Sequence, residues 1–364
     1  RYVEAMKRQK QGIDILKLNT GNPATFGFGL PDSIKNALIE HMQDGVGYCD
    51  FKGMPQARQA ICDYETSKGI KGITSDDVFI GNGVSEVVSF ALTPLLNDGD
   101  EVLVPSPSYS LWGNSVYLED GKPVFYTCDE QANWYPDIQD IRSKITDKTK
   151  AIVIINPNNP TGVLYPKELL LEIIQIARES GLLIFADEIY DRLVMDGKQH
   201  ISLASLTEDV PVITLNGLSK SHCLCGYRCG WMVISGPREL TEDYRQGIIQ
   251  LTSLRLCANT MAQIVIPAAL DDMETPASMV RPGGRIYEQR EATVRELEKI
   301  DGLSFVKNDA AFYVFPKLDV KKFNITNDKQ FAHDLLDTTN ILLVPGSGFD
   351  WKDPDHFRIV MLPQ

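Results

Sequence analysis

Two five-residue stretches, 151–155 (AIVII) and 182–186 (LLIFA), are apolar throughout and show no in–out alternation. A strand with one wet face alternates and a strand covered on both faces does not, so this pattern demands a largely parallel sheet held between helices. Similar short runs recur at 78–80, 101–104, 123–126, 212–215 and 231–234, separated by stretches of helical periodicity. That is an α/β rhythm. The clearest helix is 166–180. Pro166 suits its first turn, Leu169, Leu170, Ile173, Ile174 and Ala177 form one apolar stripe, and Gly181 ends it.

After residue 234 the strands give way to expected helices at 238–251, 260–270 and 285–297. A smaller α+β unit follows, with strands at 302–306, 311–315 and 341–344 and a helix near 329–337. The helix of 86–96 follows strand 78–80. No internal repeat and no Gly-, Ser- or Pro-rich linker separates the units, so an interface rather than a tether is expected. A length of 364 residues suits about two domains.

Lys and Arg number 36 against 49 Asp and Glu, a net charge of −13 that repels nucleic acid and anionic lipid surfaces. No apolar run approaches the roughly 20 residues that span a bilayer. Seven cysteines without framework spacing suit a reduced, cytoplasmic compartment. The chain opens at Arg1 rather than Met and stops at Gln364, so neither end is expected to be native.

Ligands of an open α/β sheet sit beyond the carboxyl ends of its strands. There the chain is polar: N-P-N-N-P-T-G at 156–162, D-E-I-Y at 187–190, and N-G-L-S-K at 216–220, then G-Y-R-C-G at 226–230. In order and spacing this series resembles the class I and II aminotransferases of the pyridoxal phosphate fold type I family. The likeness runs through the whole chain, from G-N-P at 21–23 and G-Y-C-D-F-K-G at 47–53 to F-R-I at 357–359. Within the family, N-G-L-S-K, R-P-G-G-R-I-Y-E-Q-R and D-H-F-R-I-V are similar to bacterial glutamate–pyruvate (alanine) aminotransferases.

The resemblance implies a large domain (30–270) with a mostly parallel seven-stranded sheet. A small α+β domain (1–29 and 271–364) closes over the active site. It implies pyridoxal 5'-phosphate as cofactor, amino acids and 2-oxo acids as substrates, and a homodimer with shared active sites. The expected reaction takes L-alanine and 2-oxoglutarate to pyruvate and L-glutamate. Such chemistry needs a lysine to bond the cofactor aldehyde and shuttle the Cα proton, which the resemblance makes Lys220. It needs a buried carboxylate to keep the pyridine nitrogen protonated, here Asp187. Asn159 and Tyr190 match the donors to the phenolic oxygen. Val84 and Ser85 at a helix N-terminus, Ser219, and the fork of Arg228 would hold the phosphate. Tyr109 would stack on the ring, and Tyr48 would reach the neighbouring subunit's phosphate. Arg358 matches the residue that grips the substrate carboxylate, with Gly21 and Asn159 as helpers.

Two positions depart from the family. Gly217 stands where many relatives carry a hydroxyl, and Tyr109 stands where the aspartate branch has Trp. Arg255 is a candidate for a distal carboxylate, against the plainer expectation of a surface or interface arginine. Cys223, Cys225 and Cys229 with His222 are read as ordinary side chains, since C-x-C is too tight for a structural zinc site. His41, His200, His333 and His356 are assigned surface or packing roles. The alternatives are a carbon–sulfur β-lyase, or an aminotransferase of other side-chain specificity, on the same fold. A sensor module is the third, and it would need a basic helix-turn-helix upstream.

Overall fold

Each of the seven apolar runs becomes a strand of one sheet in the computed structural model, which describes residues 1–364. In chain order they are β1 (Val78–Asn82), β2 (Glu101–Ser106), β3 (Lys122–Asp129), β5 (Thr149–Ile155), β6 (Leu183–Asp187), β7 (Val212–Gly217) and β8 (Cys229–Ser235), with β4 (Tyr135–Pro136) intervening. The sheet order is β1-β8-β7-β6-β5-β2-β3-β4. Five central strands run parallel, whereas β8 is antiparallel to both of its neighbours. The sheet therefore has eight strands rather than seven. The extra one pairs Cys128 with Pro136 and Asp129 with Tyr135, and two residues are too few to show a period.

Every residue of β7 and β8 is buried, as are nearly all of β5 and β6. This is the two-sided cover that the missing alternation requires. The crossover helix between β5 and β6 is Lys167–Ser180. Pro166 is its N-cap, the whole expected stripe is buried, and Gly181 closes it at φ 65° in the left-handed region.

Three expected helices differ. The segment at 260–270 is two short helices, Thr260–Gln263 and Ile266–Asp271. Pro267 sits in the first turn of the second, and with no N–H to donate it favours a helix start over a helix interior. The segment from 238 opens as a 3-10 turn, Arg238–Leu240, before the helix Glu242–Arg255. The helix after β1 is Val84–Leu92, starting two residues earlier than expected, directly after Gly83.

The smaller unit holds an antiparallel sheet of β9 (Tyr313–Val314), β10 (Val344–Pro345) and β11 (Phe357–Val360) in the order β9-β11-β10. The helix Asp328–Thr339 accompanies it, capped by the Asn327 side chain, which accepts from the Lys329 and Gln330 amides. Leu16–Lys17 pairs in parallel with Ile341–Leu342, so the start of the chain is stitched to its last hundred residues. No single helix is long and apolar enough to cross a membrane.

Candidate active site

A cavity of about 370 Å³ opens at the carboxyl edge of the large sheet, between it and the smaller unit. Because β8 runs against its neighbours, its beginning shares this edge with the ends of β1, β6 and β7. The chain thus delivers Asp187 from the end of β6, Ser219 and Lys220 from beyond β7, and Arg228 from just before β8. Val84 and Ser85 come from the helix after β1, Tyr109 from beyond β2 and Asn159 from beyond β5. Tyr190, Gly21 and Arg358 complete the set of sequence-derived residues that line this one cavity.

Arg228 adopts the left-handed conformation at φ 54°, and its Nη1 donates to the Cys225 carbonyl at 2.8 Å. This turns the guanidinium onto Gly83, where any Cβ would collide with it. Gly83 itself stands at φ 82° and caps Val84–Leu92 with no side chain. A fork-shaped cation and a helix N-terminus thereby face the same spot, an arrangement suited to a phosphate. At Gly217 a Cβ would lie 2.6 Å from the Cys229 carbonyl, so close strand pairing leaves no room for a side chain there.

Asp187 is 5% exposed, and its partners are neutral: Trp112 Nε1 donates to Oδ2 at 3.0 Å and the Ile189 amide to Oδ1 at 3.4 Å. Burial pushes the carboxyl up to about 6 even though the Trp112 bond pulls it down. The Tyr190 and Tyr313 hydroxyls share a hydrogen bond of 2.8 Å. Burial, and then Tyr313, hold the Tyr190 phenol well above its ordinary value. Lys220 Nζ donates to the Gly21 carbonyl at 2.7 Å.

Arg358 is buried on β11, with Nη1 donating to Asn159 Oδ1 at 2.9 Å and Nη2 to the Asn19 carbonyl at 2.5 Å. Its guanidinium carbon lies 4.6 Å from the Tyr313 ring centre and 4.7 Å from that of Phe349. The Nε has no partner although it is buried. A cation held in this way has been desolvated in advance for an anion.

Two expected residues lie elsewhere. Tyr48 is 84% exposed and outside the cavity of its own chain. Arg255 is also outside: its Nη1 donates to Glu86 Oε2 at 2.9 Å, and its guanidinium carbon stands 5.2 Å from the Phe90 ring centre. With its charge paired there, it is not offered to a ligand in the cavity. The thiols of 223–229 point apart, Cys223 toward Met279 and Cys225 toward the Ser219 carbonyl, while His222 bonds Ser221 and the Asp272 carbonyl. Asn19, Trp112 and Tyr313 belong to the site or its immediate support without a sequence expectation, and Cys225, read from sequence as an ordinary thiol, lines the cavity as well. Asn19 lies two residues before Gly21, and Trp112 three after Tyr109, so proximity in sequence was the signal that could have found them.

The chain matches the family description "Aminotransferase class I and II" over residues 13–364. It is 52% identical to the glutamate-pyruvate aminotransferase AlaA of Haemophilus influenzae over 362 residues, covering 100% of this chain and 90% of that protein. The crystal structure of an aminotransferase from Escherichia coli superposes with a TM-score of 0.98 at 49% identity, covering 100% of this chain and 90% of that one. The alanine aminotransferase of Pyrococcus furiosus follows with a TM-score of 0.94 at 42% identity, covering 100% and 91%.

Proposed function

The chain belongs to the class I and II aminotransferases, and from that premise we propose that it exchanges the amino group of L-alanine with 2-oxoglutarate, using pyridoxal 5'-phosphate. One observation carries the reading: Lys220, Asp187, Arg228 and Arg358 line a single cavity at a strand-end edge. The names of the Haemophilus and Pyrococcus proteins support the choice of alanine and glutamate.

The residues fit the cofactor. Gly83 and Arg228 form a cradle that a Cβ would fill, and the buried Asp187 carboxyl, raised to about 6, has only neutral partners in the chain. Both features suit a ligand with a phosphate at one end and a protonated ring nitrogen at the other. When bound, pyridoxal phosphate supplies an aldehyde that stores the amino group between two half-reactions and a ring that accepts the electron pair left at Cα.

Arg358 grips the α-carboxylate with a planar fork, assisted by Asn159, and so fixes the orientation of the Cα–H bond. Lys220 Nζ is the amine placed to take the proton from Cα as general base and, once it carries that proton, to give it up again as general acid. Asp187, held by Trp112, keeps a positive charge stable beside it. Tyr190 and Asn159 would donate hydrogen bonds to the phenolic oxygen, Tyr109 would cover the ring, and Ser85, Ser219 and Arg228 would hold the phosphate.

The pairing of 16–17 with 341–342 supports a small domain made of 1–29 and 271–364 that closes on 30–270 and excludes water. Val46, Tyr48 and Leu254 are 75%, 84% and 84% exposed; Val46 and Tyr48 lie on the loop that follows Gly45 and Leu254 on the helix Glu242–Arg255, and Thr260 Oγ1, shortly after that helix, donates to the Gly45 carbonyl at 2.6 Å. An apolar patch of this kind supports a homodimer in which Tyr48 serves the partner's phosphate site. Seven free thiols support a reducing, cytoplasmic location.

The deciding experiment incubates the purified protein with pyridoxal phosphate and alanine, then adds 2-oxoglutarate. Pyruvate should form in the first step and glutamate in the second. Alanine left unreacted, with thiol, ammonia and pyruvate released instead from a cysteine S-conjugate, would point to a carbon–sulfur lyase.

A further inference from the structure

We propose that His356 is a positioning residue for Arg358, clasping the strand that carries Arg358 to the large sheet through Glu130. The inference rests on the reading above, in which Arg358 receives the substrate carboxylate.

The His356 side chain has no exposed surface. Its Nδ1 lies 2.7 Å from Asp355 Oδ1 and its Nε2 lies 3.0 Å from Glu130 Oε2. Glu130 opens the 3-10 turn Glu130–Ala132 that follows β3 of the large sheet, whereas His356 leads into β11 of the smaller one. The bond therefore joins the two units. A carboxylate at each ring nitrogen calls for an N–H at each, which only the imidazolium provides. Burial pulls the ring toward neutrality, but the bonds to Asp355 and Glu130 outweigh it and leave the pKa above its ordinary value.

The charged groups around the ring are few. Asp355 comes from its own segment and Glu130 from the large sheet. Lys317, on the short strand Lys317–Leu318, stands 3.8 Å from Asp355 Oδ2. Elsewhere the ring meets aromatic side chains: Trp134 and Trp351 at 5.2 Å, and Phe315 stacked at 4.9 Å.

Those aromatics also form the link to the site. His356 and Arg358 are two residues apart in extended chain and share a face. His356 stacks on Phe315, Phe315 meets Phe349 edge-on at 5.9 Å, and Phe349 lies 4.7 Å beneath the Arg358 guanidinium. Losing the clasp would shift the surface on which the guanidinium rests, while leaving Asp187 at the end of β6 and Lys220 beyond the end of β7 in place. Loss should therefore appear in KM rather than in kcat.

The test compares the wild-type holoenzyme with Glu130→Gln and His356→Gln. Four quantities are followed across pH: the imidazole titration by 15N NMR, KM and kcat for alanine, and the Kd of propionate by calorimetry. In the wild type, KM and Kd should rise as pH climbs through the His356 titration. Glu130→Gln should lower that titration by about one pH unit and carry the KM and Kd steps with it, with kcat within about twofold. His356→Gln should raise KM about tenfold and abolish the step. Should His356→Gln fail to fold, Glu130→Gln decides alone, since Glu130 is 12% exposed. Unchanged KM and Kd, or a loss of affinity without any shift in pH profile, would overturn the proposal. Propionate binding that follows the clasp in a protein without amino transfer would sink the aminotransferase reading and spare the clasp.

Discussion

At the residue scale, charge burial sets the sharpest expectations. The carboxyl of Asp187 is raised to about 6 in the folded chain, above its unfolded value of roughly 3.9. Between those values the folded state still holds a proton that the unfolded state has lost, so stability falls as pH rises through this window and stays reduced above it. Two pKa units correspond to about 3 kcal/mol. Cofactor-free Asp187→Asn should therefore melt several degrees above the cofactor-free wild type at pH 8 and near it at pH 4, while binding pyridoxal phosphate more weakly. Equal melting temperatures at both pH values would contradict this account. Lys220→Ala should keep the cofactor noncovalently and lose turnover by more than about a thousandfold, because the anchor and the proton carrier are the same amine. Near-normal exchange of alanine with 2-oxoglutarate would remove Lys220 from the chemistry. Arg358→Lys replaces a fork held by Asn159 and Asn19 with a point charge, and should lower kcat/KM for all amino acids by a similar factor, on the order of a hundredfold. A loss confined to glutamate would mark Arg358 as a side-chain reader.

At the scale of elements, legibility followed the length of the signal. The strands at 151–155 and 183–186 announce themselves as unbroken apolar runs because burial on both faces excludes polar residues, whereas β3, partly exposed, keeps Lys122, Thr127 and Asp129 at its margins. Strands of two residues, such as Tyr135–Pro136 or Val344–Pro345, exist only through their partners and leave no period to read. The site divides in the same way. Asp187, Lys220 and Arg228 sit in compact local motifs, whereas Trp112 and Tyr313 act through contacts with residues far along the chain. The helix after β1 is expected from the sequence to begin at 86, with Val84 and Ser85 on the connection before it. Gly83, at φ 82° and without a side chain, lets the turn tighten two residues sooner. Gly83→Ala should accordingly cost about 1–2 kcal/mol and weaken pyridoxal phosphate binding, since the new Cβ strains the backbone and displaces the Arg228 guanidinium. Calorimetric melting and a cofactor titration would check both parts.

At the scale of the whole molecule, the apolar patch around Tyr48 and Leu254 is expected to lie between two copies. Tyr48→Phe should leave light scattering at the dimer mass and raise the dissociation constant of the cofactor severalfold, the effect of one lost phosphate hydrogen bond. A fully active monomer would refute shared sites. The order of the large sheet has a consequence in time as well as in space. β1, one of the first strands to leave the ribosome, pairs only with β8, the last. Until residue 235 has emerged, the edge that Gly83 and Arg228 share cannot exist, and Leu16–Lys17 must wait longer still for Ile341–Leu342. Nascent chains halted after β7 should be cut readily by protease within 78–92, and those halted after β8 should resist. During synthesis, the phosphate cradle is thus among the last parts of the large sheet to close, and its completion reports that the sheet is whole.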